Sequence, residues 1–170
     1  MTEPIYLLDT NIVSNLRKPK PHPRLVAWLL PLDPACLRIS VATLTEIQMG
    51  IERTIRSGNQ EKAVEIKAWL DGFSARMQID TLTPEAATLW GRMLESPLRD
   101  DSFRRITADE VQRPRTNWVL DLMIASICIT TGRVMVTENI KDFERINSRF
   151  QLPRLINPIQ SESEESGLPG

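Results

Sequence analysis

At 170 residues the chain has the length of a single domain with a sizeable buried core, and its 41% hydrophobic and 25% charged residues are typical of an ordinary globular protein. The formal net charge of −1 argues against a strongly basic nucleic-acid binder. No apolar run approaches the roughly 18 residues of a membrane span, and the polar start MTEPIYLLDTN is not a signal peptide, so we expect a cytoplasmic protein.

Residues for nucleophilic or zinc chemistry are scarce. The single histidine, His22, excludes His-based zinc sites and makes a Ser-His-Asp triad improbable. Cys36 and Cys128 lie far apart in apolar stretches, a pattern typical of buried free thiols. Any chemistry is therefore expected to use carboxylates and a hard, oxygen-preferring cation.

Strands and helices alternate along the chain in the predicted structure. The predicted strands cover residues 4–8, 37–44, 78–82, 134–139 and 154–158. The predicted helices cover residues 10–18, 23–32, 43–58, 59–77, 83–94, 116–133 and 140–146, with a polar loop at 96–116 and a disordered acidic tail at 159–170. Strands joined by helices imply a mostly parallel sheet covered on both faces, which binds ligands beyond the carboxyl ends of its strands.

Asp9 follows the apolar run IYLL, so it is expected at such a strand end. An alternative is that Asp9, Thr10 or Asn11 only caps the next helix. Glu46 has a similar alternative, because TLTE fits a capping box with Thr43 as the N-cap.

Asp121 lies in a stretch, Trp118 to Ile129, in which ten of twelve residues are apolar. Such a helix is buried nearly all round, and a carboxylate within it needs a basic side chain, backbone amides or a metal as partner. We therefore favour a functional role for Asp121.

The segment VMVTENIKDF repeats the first pattern, since an apolar strand runs into Thr137 and Asn139, with Asp142 three residues further on. Asn139 could equally be a helix N-cap with Asp142 in the first turn. Three strand ends and one buried helix thus supply oxygen ligands, a pattern suited to Mg²⁺ or Mn²⁺ and a phosphate-bearing substrate.

From about residue 5 to 158 the sequence resembles a PIN-domain ribonuclease, specifically a VapC-type or FitB-like toxin of a toxin–antitoxin pair. The resemblance rests on LLDTNIVSNL, ATLTEIQMGI, DLMIAS and VTENIKDF in this order. It implies a PIN-like three-layer α/β/α sandwich with a mostly parallel, twisted sheet of about four or five strands, formed by residues 1–158.

The same resemblance assigns the site residues. The catalytic acids would be Asp9, Glu46, Asp121 and Asp142, with Mg²⁺ or Mn²⁺ on Asp9 and Asp121. Thr10, Asn11, Thr137 and Asn139 would support them. Members of the family carry the fourth acid at the position of either Asn139 or Asp142, and here only Asp142 is acidic.

The implied function is metal-dependent hydrolysis of RNA, with an antitoxin protein as partner and a homodimer that could use the helix at 61–77. Two alternatives stay open. One is a non-catalytic interaction domain, and the other is a metal-dependent phosphohydrolase acting on small phosphoesters.

Overall fold

The computed structural model describes residues 3–98 and 115–160, with side chains from residue 118 onward in the second range. Five short strands form one sheet in the order β3-β2-β1-β4-β5, and every neighbouring pair is parallel. The strands are β1 (Tyr6–Leu8), β2 (Leu37–Ser40), β3 (Gln78–Asp80), β4 (Val134–Val136) and β5 (Arg154–Ile156). The predicted parallel sheet is confirmed.

Seven α-helices connect the strands within the described residues. They are α1 (Thr10–Leu16), α2 (Pro23–Leu29), α3 (Val41–Arg56), α4 (Gln60–Ser74), α5 (Pro84–Leu94), α6 (Arg115–Thr131) and α7 (Ile140–Asn147). Local sequence explains several boundaries: Thr83 caps α5 with Pro84 at its first position, and Gly58 takes a left-handed φ of 83° just after α3.

Helices cover both faces of the sheet. Successive strand residues point to opposite faces, and each face packs against its own set of helices. Leu7 and Met135 pack into a core with α5, α6 and α7, whereas the next residues, Leu8 and Val136, pack into a second core with α1, α2, α3 and α4. The expected three-layer α/β/α sandwich is therefore confirmed.

The carboxyl ends of the strands lie side by side at one edge of the sheet. Leu8 pairs with Val136, and the Asp9 amide donates to the Val136 carbonyl at 2.9 Å. Ser40, at the end of β2, pairs with Asp80, at the end of the outermost strand β3. Residues that directly follow β1, β2 and β4 consequently share this edge.

The predicted strand 37–44 is too long, and the capping box considered as the alternative role of Glu46 does not form. The strand stops at Ser40, whose hydroxyl accepts from the Thr43 amide at 3.1 Å and caps α3. Because the hydroxyl of Ser40 satisfies this amide, the helix begins at Val41, two residues earlier than predicted. Glu46 then lies in the second turn of α3, beyond the reach of an N-terminal cap.

The remaining predicted strands are correctly located but are shorter in the structure. Residues 99–114 of the predicted polar loop 96–116, and residues 161–170 of the predicted tail, lie outside the described residues. Among the residues the structure covers, no helix is both long enough and apolar enough to cross a membrane.

Candidate active site

The carboxylate of Asp9 lies at the carboxyl end of β1 and is only 3% exposed. Its Oδ1 accepts from the Thr10 amide at 2.7 Å, and Asp9 is the N-cap of α1. Its Oδ2 accepts from Asn11 Nδ2 at 2.8 Å and from the Thr137 hydroxyl at 2.6 Å. The helix cap considered as the alternative role of Asp9 therefore exists, and it uses only one of the two carboxylate oxygens.

Thr137 links the ends of β1 and β4. Its hydroxyl oxygen accepts from the Asn139 amide at 2.9 Å and from Asn11 Nδ2 at 3.1 Å. With these donors on its oxygen, the Thr137 proton is free to point at Asp9, as the 2.6 Å contact requires. The supporting residues Asn11, Thr137 and Asn139 are thus brought together around Asp9.

Glu46 approaches the same edge from α3. The Thr43 hydroxyl, three residues earlier and so on the same helix face, donates to the Leu8 carbonyl at 3.5 Å. The pKa of Asp9 is raised from 3.8 to about 6. Burial is the largest cause and the negative charge of Glu46 adds to the rise, whereas the hydrogen bonds from Thr137, Thr10 and Asn11 oppose it. Glu46 therefore acts on Asp9 as a charge at the site and not as a helix cap.

Asp142 and Asn139 form a hydrogen-bonded pair at the start of α7. Asn139 occupies the N-cap position but makes no side-chain cap bond. Its Nδ2 instead donates to Asp142 Oδ2 at 2.6 Å. Both residues carry oxygen atoms of the kind that bind hard divalent cations.

Asp121 is 9% exposed within α6, as its apolar neighbours predicted. The helix packs against α3, which carries Glu46, and against α5. That Asp121 lies beside the acids at the strand ends stays a prediction.

Asp80 shows that an acid at a strand end need not belong to this group. It ends β3 and binds Arg133 through two contacts, from Nε to Oδ2 at 3.0 Å and from Nη2 to Oδ1 at 3.3 Å. This paired geometry ties the edge strand β3 to the turn before β4. Asp80 therefore has a structural partner, although its sequence context resembles that of Asp9.

Asn15, a buried amide with 5% exposure, is absent from the residues predicted from the sequence. Its Nδ2 donates to Glu138 Oε1 at 2.9 Å, and its Oδ1 accepts from the His22 amide at 2.9 Å. The available signal was its position four residues after Asn11, which places both amides on the same face of α1.

The oxygen groups around Asp9 have the chemistry to bind a divalent cation. A carboxylate has about four acceptor sites, and the three hydrogen bonds to Asp9 leave one for a cation. Within the described residues, the Thr10 hydroxyl is buried without a hydrogen-bond partner. As placed in residues 3–98 and 118–160, no three acidic, histidine or cysteine side chains converge in a metal-binding arrangement.

A PIN-domain family model matches residues 6–148, which is most of the chain. The chain belongs to the PIN-domain family. Over 66 residues this PIN domain is 35% identical to Ribonuclease VapC14 of Mycobacterium tuberculosis, covering 39% of this chain and 63% of that protein. Over 45 residues it is 40% identical to Toxin FitB of Neisseria gonorrhoeae, covering 26% and 32%. The chain thus spans less than two thirds of the length of either curated relative.

Solved structures of toxin–antitoxin complexes share the fold of this PIN domain. VapBC2 from Rickettsia felis, bound to a DNA fragment from its promoter, matches with a TM-score of 0.59 and 27% identity over 90% of this chain and 98% of that chain. FitAcB from Neisseria gonorrhoeae matches with a TM-score of 0.62 over 92% and 100%, and at 20% identity it shows the fold alone. The expected family and its VapC-like and FitB-like relatives are confirmed.

Proposed function

We propose that this PIN domain is a metal-dependent endoribonuclease, the toxin component of a toxin–antitoxin pair, that hydrolyses RNA phosphodiester bonds. The observation that carries the proposal is the Asp9 carboxylate: it is buried at the carboxyl edge of a parallel sheet, held by three donors, and its pKa is raised to about 6 by burial and by Glu46. Such a perturbed acid at a sheet edge is typical of functional sites.

The surrounding residues hold Asp9 in one orientation. Thr137 and Asn11 both donate to Oδ2 and the Thr10 amide donates to Oδ1, so the carboxylate cannot rotate without losing hydrogen bonds. Asn139 fixes Asp142 in the same way. A preoriented set of oxygens is what a divalent cation requires, because rearranging the ligands on binding would cost free energy.

We infer that Asp9 and Asp121 hold Mg²⁺ or Mn²⁺, and that Glu46 and Asp142 complete the acidic pocket. The donor chemistry supports this assignment, since these cations prefer carboxylate and neutral oxygen ligands. When bound, the ion supplies polarisation of the phosphodiester and ionisation of a water near neutral pH. Ribonuclease VapC14, to which the chain is 35% identical over 66 residues, supports RNA as the substrate.

Exposed basic residues beside the site would contact the RNA backbone. We call residues 17–22, which follow α1, the basic segment; its Arg17, Lys18 and Lys20 are all exposed. Contacts of this kind release counterions, so RNA affinity should fall steeply with salt. Other basic residues considered for this role, Arg99, Arg104, Arg105, Arg113 and Arg115, lie outside the described side chains.

The proposed partner is an antitoxin protein that lies across the acidic pocket. The complexes from Rickettsia felis and from Salmonella typhimurium, at 27% and 25% identity, support this assignment because both contain a toxin together with its antitoxin. We also propose a homodimer that uses the exposed side of α4, where Val64 is 67% exposed.

The decisive experiment replaces Asp9 by Asn and measures RNA cleavage with Mg²⁺ or Mn²⁺. We expect Asp9→Asn to abolish cleavage, because the amide cannot supply the charge that the cation needs. The melting temperature without metal should be unchanged or raised. Removing the desolvated charge gains about 3 kcal/mol, whereas one lost hydrogen bond costs about 1 kcal/mol.

Asp80→Asn is the matched control, since Asp80 also ends a strand of the same sheet but binds Arg133. This variant should lose stability and keep its cleavage rate when measured well below its melting temperature. If Asp9→Asn cleaved RNA at the wild-type rate, the catalytic assignment of Asp9 would be wrong. Turnover of a chromogenic phosphate ester without RNA cleavage would instead identify a phosphohydrolase.

A further inference from the structure

Asn15 lies buried between the basic segment and the residues that follow β4. Its carbonyl oxygen accepts from the His22 amide, and its Nδ2 donates to Glu138 Oε1, both at 2.9 Å. A backbone amide can only donate, so the His22 contact fixes which end of the Asn15 side chain carries the oxygen. The residue therefore needs both an acceptor and a donor at this position.

The hydrogen bonds continue from Glu138 to the Asp9 carboxylate. The Glu138 amide donates to Asn11 Oδ1 at 3.1 Å, and Asn11 Nδ2 donates to Asp9 Oδ2 at 2.8 Å. A continuous path thus runs from His22 to Asp9. It consists of hydrogen bonds and of Glu138 itself, whose side chain is bound to Asn15 and whose backbone amide is bound to Asn11. This path joins the basic segment to the Asp9 carboxylate, which is a catalytic acid in the proposed function.

The composition of the basic segment makes this anchor effective. Pro19, Pro21 and Pro23 have fixed φ angles and no amide hydrogen, so between Pro21 and Pro23 the His22 amide is the one backbone donor. Asn15 takes that donor. Because alternating prolines stiffen the segment, holding this point also restricts the directions in which Lys18 and Lys20 can extend.

We propose that Asn15 is a positioning residue that fixes the basic segment relative to the Asp9 carboxylate, and so places the RNA phosphate for cleavage. The inference rests on the proposed function. Asn15 is only 5% exposed. Its hydrogen bonds go to Glu138 and His22, so it acts on Asp9 through Glu138 and Asn11.

This role predicts an effect on turnover and not on affinity. Exposed lysine and arginine side chains attract phosphates from many positions, so a displaced segment still binds RNA. Cleavage is far less tolerant, since a displacement of about 1 Å at the reacting centre can cost on the order of 100-fold in rate.

The test compares wild type with Asn15→Asp, Glu138→Gln, the Asn15→Asp/Glu138→Gln double variant and Asn59→Asp. In Asn15→Asp, two carboxylates face each other, while the acceptor for His22 is kept. The double variant restores one donor and one acceptor with the hydrogen bond reversed, and it has the wild-type net charge. Asn59→Asp is the matched control: it adds the same charge at the exposed N-cap of α4, where Asp caps as well as Asn.

We expect Asn15→Asp to lower kcat for RNA by at least about tenfold, with an RNA Kd within about threefold of that of Asn59→Asp. The double variant should recover kcat to within about threefold of Glu138→Gln. All rates are taken at a temperature at which circular dichroism shows each variant folded, where a purely structural role would leave kcat unchanged. A kcat equal to that of Asn59→Asp, or no recovery in the double variant, would overturn the proposal.

A second measurement does not depend on cleavage. In Asn15→Ala, amide hydrogen exchange should become faster at His22, which loses its acceptor, and at Glu138, whose side chain loses its donor. Unchanged exchange at Glu138 would contradict the coupling even if RNA is cleaved. If wild type does not cleave RNA, the proposed function is wrong. Faster exchange at His22 and Glu138 in Asn15→Ala would still support the coupling through Asn15.

Discussion

Asp9 combines two roles at the residue scale, because a carboxylate has more acceptor sites than either role uses. Oδ1 caps α1 through the Thr10 amide, and Oδ2 is held by Asn11 and Thr137. The three hydrogen bonds do not fully compensate the loss of water, since the pKa of the group is still raised to about 6. The buried charge therefore weakens the fold at neutral pH and is available to a cation.

This balance predicts a pH dependence of stability without metal. The folded state binds the Asp9 proton more tightly than the unfolded state does, so the contribution of Asp9 is greatest below about pH 4 and is lost as the pH rises through about 6. A rise in pKa from 3.8 to about 6 corresponds to about 3 kcal/mol.

Denaturant unfolding in the presence of a chelator checks this prediction. The free energy of unfolding of wild type, minus that of Asp9→Asn, should fall by about 2 kcal/mol between about pH 4 and about pH 7. Asp9→Asn is the internal reference, because it lacks only this titrating group. Parallel pH curves for the two proteins would contradict the raised pKa.

At the scale of elements, the start of α3 decides what Glu46 can do. Ser40 caps the helix and Thr43 binds both the Ser40 hydroxyl and the Leu8 carbonyl. These contacts attach the first turn of α3 to the end of β1. Glu46 is one turn further along the same face, which is why its charge reaches Asp9.

Two alanine variants separate a cap from a site residue. Ser40→Ala should lower the free energy of unfolding by about 1 kcal/mol, because the amide of Thr43 loses its acceptor. Glu46→Ala should change stability by less than about 0.5 kcal/mol and should abolish or strongly reduce RNA cleavage. Thermal or denaturant unfolding measures both changes. A loss of about 1 kcal/mol in Glu46→Ala would restore the capping-box interpretation.

For the whole molecule, the sheet brings distant parts of the chain to one edge. Asp9 follows the first strand, whereas Thr137 and Asn139 follow the fourth, yet the Asp9–Thr137 contact is 2.6 Å. The β1–β4 pairing in the middle of the sheet produces this proximity. A cation bound at this edge would connect elements from both halves of the chain, so its binding should stabilise the entire fold.

We therefore expect Mg²⁺ or Mn²⁺ to raise the melting temperature at neutral pH. At a concentration 100 times the Kd, the gain by mass action is about 2.7 kcal/mol, which corresponds to a rise of several degrees. Asp9→Asn should show no rise, and Asp80→Asn should respond as wild type does. A thermal melt of wild type that does not respond to either ion would favour a non-catalytic interaction domain.

Sequence alone determined the order of elements, the parallel sheet and the family, because apolar periodicity and the four motifs are local features. It also placed Asp9, Thr137 and Asn139 correctly at strand ends. Only the tertiary structure distinguished Asp9 from Asp80, since that difference depends on whether Arg133 reaches the carboxylate. Likewise, the cap at Ser40 and the anchor at Asn15 depend on contacts between elements. Local patterns do not specify such contacts, because strand register and helix packing set which side chains meet.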